Sequence, residues 1–191
     1  MDICVYGASS DQLEQHYLQD AYTLGQRMAR RGHGLVFGGG ATGMMGAAAR
    51  GVHDAGGRLL GIAPSFFNVN GILYPDCTDF IYTETMRERK QLMEERADAF
   101  VMTAGGIGTW EEFFEVLTLK QLGRLNKPIA VLNTDGYFDE MQQMLMHAAE
   151  QHFMKPQCLA LYRLCDSADE ALDYLEGYDA AAFDVRHLKN L

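Results

Sequence analysis

Cationic charge is scarce in this chain. Its 191 residues carry 16 lysines and arginines against 26 carboxylates, a formal net charge of −10. Binding to a nucleic-acid backbone needs a basic face, so no nucleic-acid partner is expected. An anionic small molecule stays possible if a local cationic cluster works against the global field. Cysteine is sparse too: Cys4, Cys77, Cys158 and Cys165 show no CxxC spacing and read as reduced thiols. No run approaches the roughly 18 apolar residues of a membrane helix. The opening MDICVYG has neither a basic nor an apolar leader region. These absences predict a cytoplasmic protein with no membrane partner. There is no GxxxxGK[ST] phosphate loop, no HExxH and no GxSxG elbow. The 6 histidines are scattered, which argues against a metal site.

What is present is an alternation of strand and helix patterns. Ile3–Ala8 reads as a strand. Asp11–Arg31 reads as a helix, with Leu13, Tyr17, Ala21, Leu24 and Met28 at helical spacing and Gly32 as its stop. Leu35–Phe37 is a second strand, Met44–Ala55 a helix, and Arg58–Ala63 a strand ended by Pro64. Residues 65–84 are the least regular, with one short strand at Phe80–Tyr82. Thr85–Ala97 is a helix opened by a capping-box pattern from Thr85 to Glu88, and Ala99–Thr103 is the next strand. Thr109–Gly123 is a helix with a second capping-box match from Thr109 to Glu112. Pro128–Asn133, Tyr137–Phe153, Leu161–Cys165 and Ser167–Leu175 complete the alternation as strand, helix, strand and helix. The strands are continuous apolar runs, as burial on both faces demands. The expectation is an α/β fold, a doubly wound parallel sheet with helices on both faces. One domain is expected over residues 1–178, followed by a C-terminal tail at 179–191.

Ligands of open parallel sheets bind beyond the carboxyl ends of the strands. Three loops of small residues fall at that edge: Gly7–Ser10, Gly38–Gly46 and Ala104–Thr109. In the last, Gly105, Gly106 and Gly108 let the backbone approach a ligand, and the free amides of the helix start suit a phosphate. A tight turn with a helix cap explains the same spacing equally well. Glu112 likewise reads either as a capping residue or as a carboxylate facing the ligand. The loop from Gly38 to Gly43 formally matches GxGxxG, with Gly39, Gly40 and Gly43 as candidate contacts. It follows the second strand, and no acidic residue ends the next one, which counts against a nicotinamide site. Arg87, Arg89 and Lys90 form the one dense cationic cluster near this edge. They lie early in a helix, where the dipole disfavours cations; the alternative is a solvated face with a Lys90–Glu94 pair. Trp110, Phe113, Phe114, Leu117 and Leu122 read either as core or as a homodimer interface.

Taken together, these segments resemble the LOG ("Lonely guy") family of cytokinin-activating nucleoside-monophosphate phosphoribohydrolases. AGGIGTWEE at 104–112 resembles the family's PGGxGTxxE, and MRERK at 86–90 resembles its MHxRK. The likeness extends through VFGGGATGMMG, LTLKQLG and KPIAVLNTDGYFD, in order, over most of residues 2–153. It implies a Rossmann-like homodimer that hydrolyses the N-glycosidic bond of an adenine-type nucleoside 5′-monophosphate, AMP or a cytokinin riboside monophosphate. The implied products are free base and ribose 5-phosphate, with no cofactor. By position, the resemblance makes Arg89 and Glu112 catalytic. It assigns Met86, Lys90, Gly105, Gly106, Gly108, Thr109 and Thr118 to the substrate. The chain departs from the family in Ala104 for proline, in Arg87 for histidine, and in the lack of a carboxylate at 68–71. The alternative implied by related folds is a non-catalytic nucleotide or molybdopterin-type cofactor carrier.

Overall fold

A computed structural model describes residues 1–181. One seven-stranded sheet organises the chain: β1 (Asp2–Tyr6), β2 (Gly34–Phe37), β3 (Leu59–Pro64), β4 (Asp79–Thr83), β5 (Ala99–Met102), β6 (Ile129–Leu132) and β7 (Arg163–Cys165). Their order is β4-β3-β2-β1-β5-β6-β7, and every pairing is parallel. β1 lies at the centre, with Ile3 opposite Leu35 on one side and Ala99 on the other. The chain builds outward from β1 in one direction, then jumps back to β5 and builds outward in the other. That reversal opens a crevice beyond the carboxyl ends of β1 and β5.

The helices are α1 (Gln15–Arg30), α2 (Gly43–Asp54), α3 (Met86–Arg96), α4 (Ile107–Gln121), α5 (Asp139–Glu150) and α6 (Ala168–Glu176). Side chains along one strand alternate between two cores, because period-two geometry sends neighbours to opposite faces. Cys4 and Tyr6 of β1 join Met93, Phe113 and Val116 under α3 and α4. Ile3 and Val5 join Leu24, Met28, Ala48 and Leu172 under α1, α2 and α6. The doubly wound α/β fold expected from the alternation is therefore present. Among the described residues no helix is long and apolar enough to cross a membrane.

Boundaries differ where local signals compete. α3 begins as its cap predicts: the Thr85 hydroxyl accepts from Glu88 N at 3.2 Å, and the Glu88 carboxylate accepts from Glu84 N at 2.8 Å. Such a cap stabilises by about 1 kcal/mol. α1 starts at Gln15, not Asp11, so Leu13 falls outside it. α5 starts at Asp139, not Tyr137, because Asp135 (φ 51°) and Gly136 (φ 73°) form a left-handed turn first. The Asn133 carboxamide oxygen accepts from Phe138 N at 2.7 Å and closes that turn. On α4, Phe113 and Leu117 are core, whereas Trp110 and Leu122 are 43% and 47% exposed. The expected tail falls mostly outside the described residues. Its start is tied back, with Tyr178 donating to the Asn126 carboxamide oxygen and Asn126 donating to Ala180 O.

Candidate active site

The second capping-box match is overturned. α4 begins at Ile107 with Gly106 as its N-cap, so Thr109 and Glu112 lie inside the helix. Trp110 N donates to Gly106 O at 3.0 Å, which makes Gly106 the first acceptor of the helix. No side chain caps this end. The first-turn amides are therefore without an intrahelical partner, the condition that suits an anion. Glu112 is relieved of capping and is free for other work.

Its partner comes from 23 residues away. The Arg89 guanidinium donates through Nη2 to Glu112 Oε1 at 3.3 Å. Both side chains are deeply buried, at 10% and 12% exposure. Arg89 Nη1 also lies 3.7 Å from Met86 Sδ. Its Nε is buried with no hydrogen-bond partner among the described residues. A buried guanidinium donor left unpaired costs stability unless a ligand or water meets it. Burial pushes the Glu112 carboxyl up to about 7 against the pull of Arg89, with Glu111 adding to the rise. A group poised there can hold or release a proton near neutrality.

Lys90 does not pair with Glu94 along its own helix. It turns to α4 and bridges Glu111 and Glu115, the latter at 2.6 Å. Burial alone would lower its pKa, but hydrogen bonds to the two carboxylates outweigh that and raise it. Glu94 is left half-buried beside Glu115, and burial together with that neighbour pushes its carboxyl up to about 7. Arg89 and Lys90 thus join α3 to α4, whereas Arg87 lies exposed, as the solvated-face reading has it.

Two cavities open at the sheet's carboxyl edge. The first, about 400 Å³, is bounded by Ser9, Ser10, Met86, Arg89, Gly106, Gly108, Thr109 and Glu112 among others. The second, about 320 Å³, is bounded by Gly38, Gly40, Phe67, Gly71, Ile72 and Leu73 among others, with no carboxylate in its wall. Ser9, Met45 and Arg89 border both. Of the residues singled out in the sequence, Met86, Arg89, Gly106, Gly108, Thr109 and Glu112 meet at the first cavity, and Gly40 at the second. Gly39, Gly43, Gly105, Lys90 and Thr118 border neither. Thr118 is exposed on α4.

The glycines divide by cause. A Cβ on Gly38 would lie 2.0 Å from Arg89 Nη2, so this glycine makes room for the guanidinium. A Cβ on Gly105 would lie 2.2 Å from Thr109 Oγ1. Gly106 and Gly108 are different: a Cβ on either would meet nothing within 4 Å, and neither has a positive φ. Clearance for the Thr109 side chain accounts for Gly105 alone. Nothing among the described residues requires glycine at the other two, and both stand at the wall of the first cavity.

Sequence reading placed the loops Gly7–Ser10 and Gly38–Gly46 at this edge without naming Ser9 or Ser10 as contacts, and it missed Phe67, Ile72 and Leu73 in the wall of the second cavity. The serines carried a usable signal, as small polar residues directly after the central strand. Phe67, Ile72 and Leu73 carried none, since they come from the least regular segment. Among the described residues no group of three His, Cys, Asp or Glu could hold a metal ion.

Comparisons with known proteins find similar sequences and similar folds. A family model described as "Possible lysine decarboxylase" matches residues 45–175. The chain is 35% identical to the cytokinin riboside 5′-monophosphate phosphoribohydrolase LOG2 of Arabidopsis thaliana, over 92% of this chain and 83% of that protein. Among solved structures it superimposes on the molybdenum cofactor binding protein from the phototrophic bacterium Rippkaea orientalis. That match has a TM-score of 0.71 and 25% identity, covering 92% of this chain and 94% of the other. It also matches the molybdenum cofactor carrier protein of Chlamydomonas reinhardtii in fold, with a TM-score of 0.70 at 22% identity over 93% and 98% of the two chains.

Proposed function

The chain belongs to the LOG family, and on that footing we propose that it is a phosphoribohydrolase, releasing the free base and ribose 5-phosphate from an adenine-type nucleoside 5′-monophosphate. The observation that carries this reading is the buried Arg89–Glu112 pair between two cavities, one ending at the uncapped start of α4. In this reading the phosphate sits against the amides at Gly106–Thr109, where helix dipole and free N–H groups favour negative charge. The base occupies the second cavity, whose wall of Met45, Phe67, Ile72 and Leu73 is apolar. The scissile bond then spans the shared border, beside Arg89 and Glu112.

Cleavage develops positive charge on the ribosyl carbon and negative charge on the departing base. The Glu112 carboxylate stabilises the first and orients the attacking water. Arg89, which borders both cavities, supplies charge-assisted hydrogen bonds to phosphate or base. Lys90 holds α3 to α4 and so fixes the distance between the two catalytic side chains. Gly39, Gly43 and Gly105 serve by shaping loops, not by touching the substrate. Thr118 lies outside both cavities of one chain, and a homodimer is the arrangement that would bring it to a ligand. The exposed cleft between α4 and α5, lined by Trp110, Phe114, Met141 and Met144, supports such an assembly.

The test is incubation with AMP, isopentenyladenosine monophosphate and a panel of purine and pyrimidine monophosphates, with free base followed by chromatography. Release of base from an adenine-type monophosphate is the expected result, and no release from any member would end the enzyme reading. The likeness to two molybdenum cofactor binding proteins favours one alternative, a carrier of a phosphate-bearing pterin. Native mass spectrometry of the purified protein separates the two: a retained pterin without base release would support the carrier.

A further inference from the structure

Amides that grip a phosphate work only if the peptide units carrying them are held in place. At the start of α4 no side-chain cap does this. The hold on its Gly105 carbonyl comes from the turn before α5. The Tyr137 hydroxyl donates to Gly105 O at 2.9 Å, across 32 residues of sequence. In a planar trans peptide the C=O and the following N–H point in opposite directions. Fixing the Gly105 carbonyl on Tyr137 therefore directs the Gly106 N–H away from Tyr137. Gly106 borders the first cavity, and Tyr137 does not.

Tyr137 is itself fastened. Its ring stands edge-on to Tyr17 of α1 and to Phe138, with centroids 5.7 Å and 4.9 Å away. The turn that presents it contains Asp135 in the left-handed region, bonded to His16 Nε2 at 3.1 Å. One residue earlier, the Thr134 hydroxyl donates to Asp20 at 2.9 Å. Two links thus tie this turn to α1. The bond serves the acceptor more than the donor, because Gly105 is buried whereas Tyr137 is 36% exposed. The preceding peptide is held separately, with Ala8 N donating to Ala104 O at 3.1 Å, which leaves the Gly105–Gly106 peptide to Tyr137.

We infer that Tyr137 is a positioning residue for phosphate recognition: its hydroxyl sets the Gly105–Gly106 peptide so that the α4 start presents its amides to the phosphate of the substrate. This rests on the phosphate-loop reading given above. The substitution that isolates the hydroxyl is Tyr137→Phe, which keeps the ring and its packing. The control is Tyr162→Phe, which removes another part-buried tyrosine hydroxyl, one bonded to Gln142 outside the site.

Two measurements are made on the full chain: steady-state hydrolysis of a nucleoside monophosphate, and calorimetric binding of ribose 5-phosphate, which needs no turnover. The expected result for Tyr137→Phe is a KM and a ribose 5-phosphate Kd each raised about threefold to tenfold, as loss of one aligned hydrogen bond implies. kcat stays within about twofold, and Tyr162→Phe changes neither constant. Unchanged KM and Kd in Tyr137→Phe, or equal changes in both variants, would overturn the inference. A wild-type chain that binds ribose 5-phosphate but releases no base ends the enzyme reading while leaving the Kd comparison to decide on Tyr137. A wild-type chain that binds neither ligand overturns both.

Discussion

The two glycine-rich loops of this protein look alike in sequence and differ in cause. In the loop after β2, the fold itself demands glycine. Gly43 has φ 63°, and a Cβ there would lie 2.3 Å from Ala8 O; Gly38 leaves room for Arg89. In the loop after β5, only Gly105 is demanded in this way. Gly106 and Gly108 face open space at the cavity, with backbone angles any residue could adopt. Except for Gly40, the glycines of the first loop build the frame, whereas Gly106 and Gly108 of the second leave the cavity clear. On the proposed function, the glycines that nothing in the protein requires are the ones that leave room for the phosphate.

Four experiments press on that difference. The largest effect is expected on the helix that the second loop opens. Glu112→Gln keeps the shape and removes the charge, and should lower kcat by about 100-fold or more. Full rate in this variant would remove Glu112 from the chemistry. Next comes Gly43→Ala, which forces a side chain into a left-handed backbone against the Ala8 carbonyl. A stability loss of about 1–3 kcal/mol should appear in denaturant or thermal unfolding. An unchanged melting temperature would mean that the first loop is not structurally committed.

The pH profile follows. Burial pushes Glu112 up to about 7, and in the proposed mechanism the ionised form is the active one. kcat/KM should therefore climb about tenfold between pH 6 and pH 8, and that limb should vanish in Glu112→Gln. The effect on stability has the opposite sign. The folded state retains a proton that the unfolded chain releases above 4.5, so this group's contribution is fullest below 4.5 and is lost as pH rises through about 7. A melting temperature that rose with pH across that window in the wild type, relative to Glu112→Gln, would contradict the assignment. The smallest and most diagnostic change is Gly108→Ala. Within a helix, alanine should stabilise by about 0.4–1 kcal/mol. The same methyl intrudes on the phosphate, and KM should rise severalfold, as loss of one charge-assisted bond implies. Stability and binding moving in opposite directions is the pattern that no purely structural role for Gly108 produces.

Legibility varied along the chain in a consistent way. The alternation of apolar runs and helical periods placed every strand, including the short β4 at the sheet edge. The capping box at Thr85 was read correctly because both of its partners lie within the same turn. The identical-looking pattern at Thr109 misled, because α4 had already begun at Ile107 with its free amides turned to a cavity. The Lys90–Glu94 pair was plausible within one helix, and lost to carboxylates on a neighbouring helix that local spacing does not reveal. Tyr137 was read as a helix start and is instead the residue that holds the Gly105 carbonyl.

By itself, then, the sequence determined the layer architecture, since burial on both sheet faces must be written as uninterrupted apolar strands between amphipathic helices. It also determined which loops would meet at the carboxyl edge, because that follows from parallel topology alone. Only the tertiary structure decided that Arg89 and Glu112 are partners, that burial lifts Glu112 towards neutrality, and that two of the glycines face emptiness. Those outcomes depend on which helices pack against one another and how much water they exclude. Charge pairing, desolvation and cavity shape act through space, and the order of residues along the chain does not carry them.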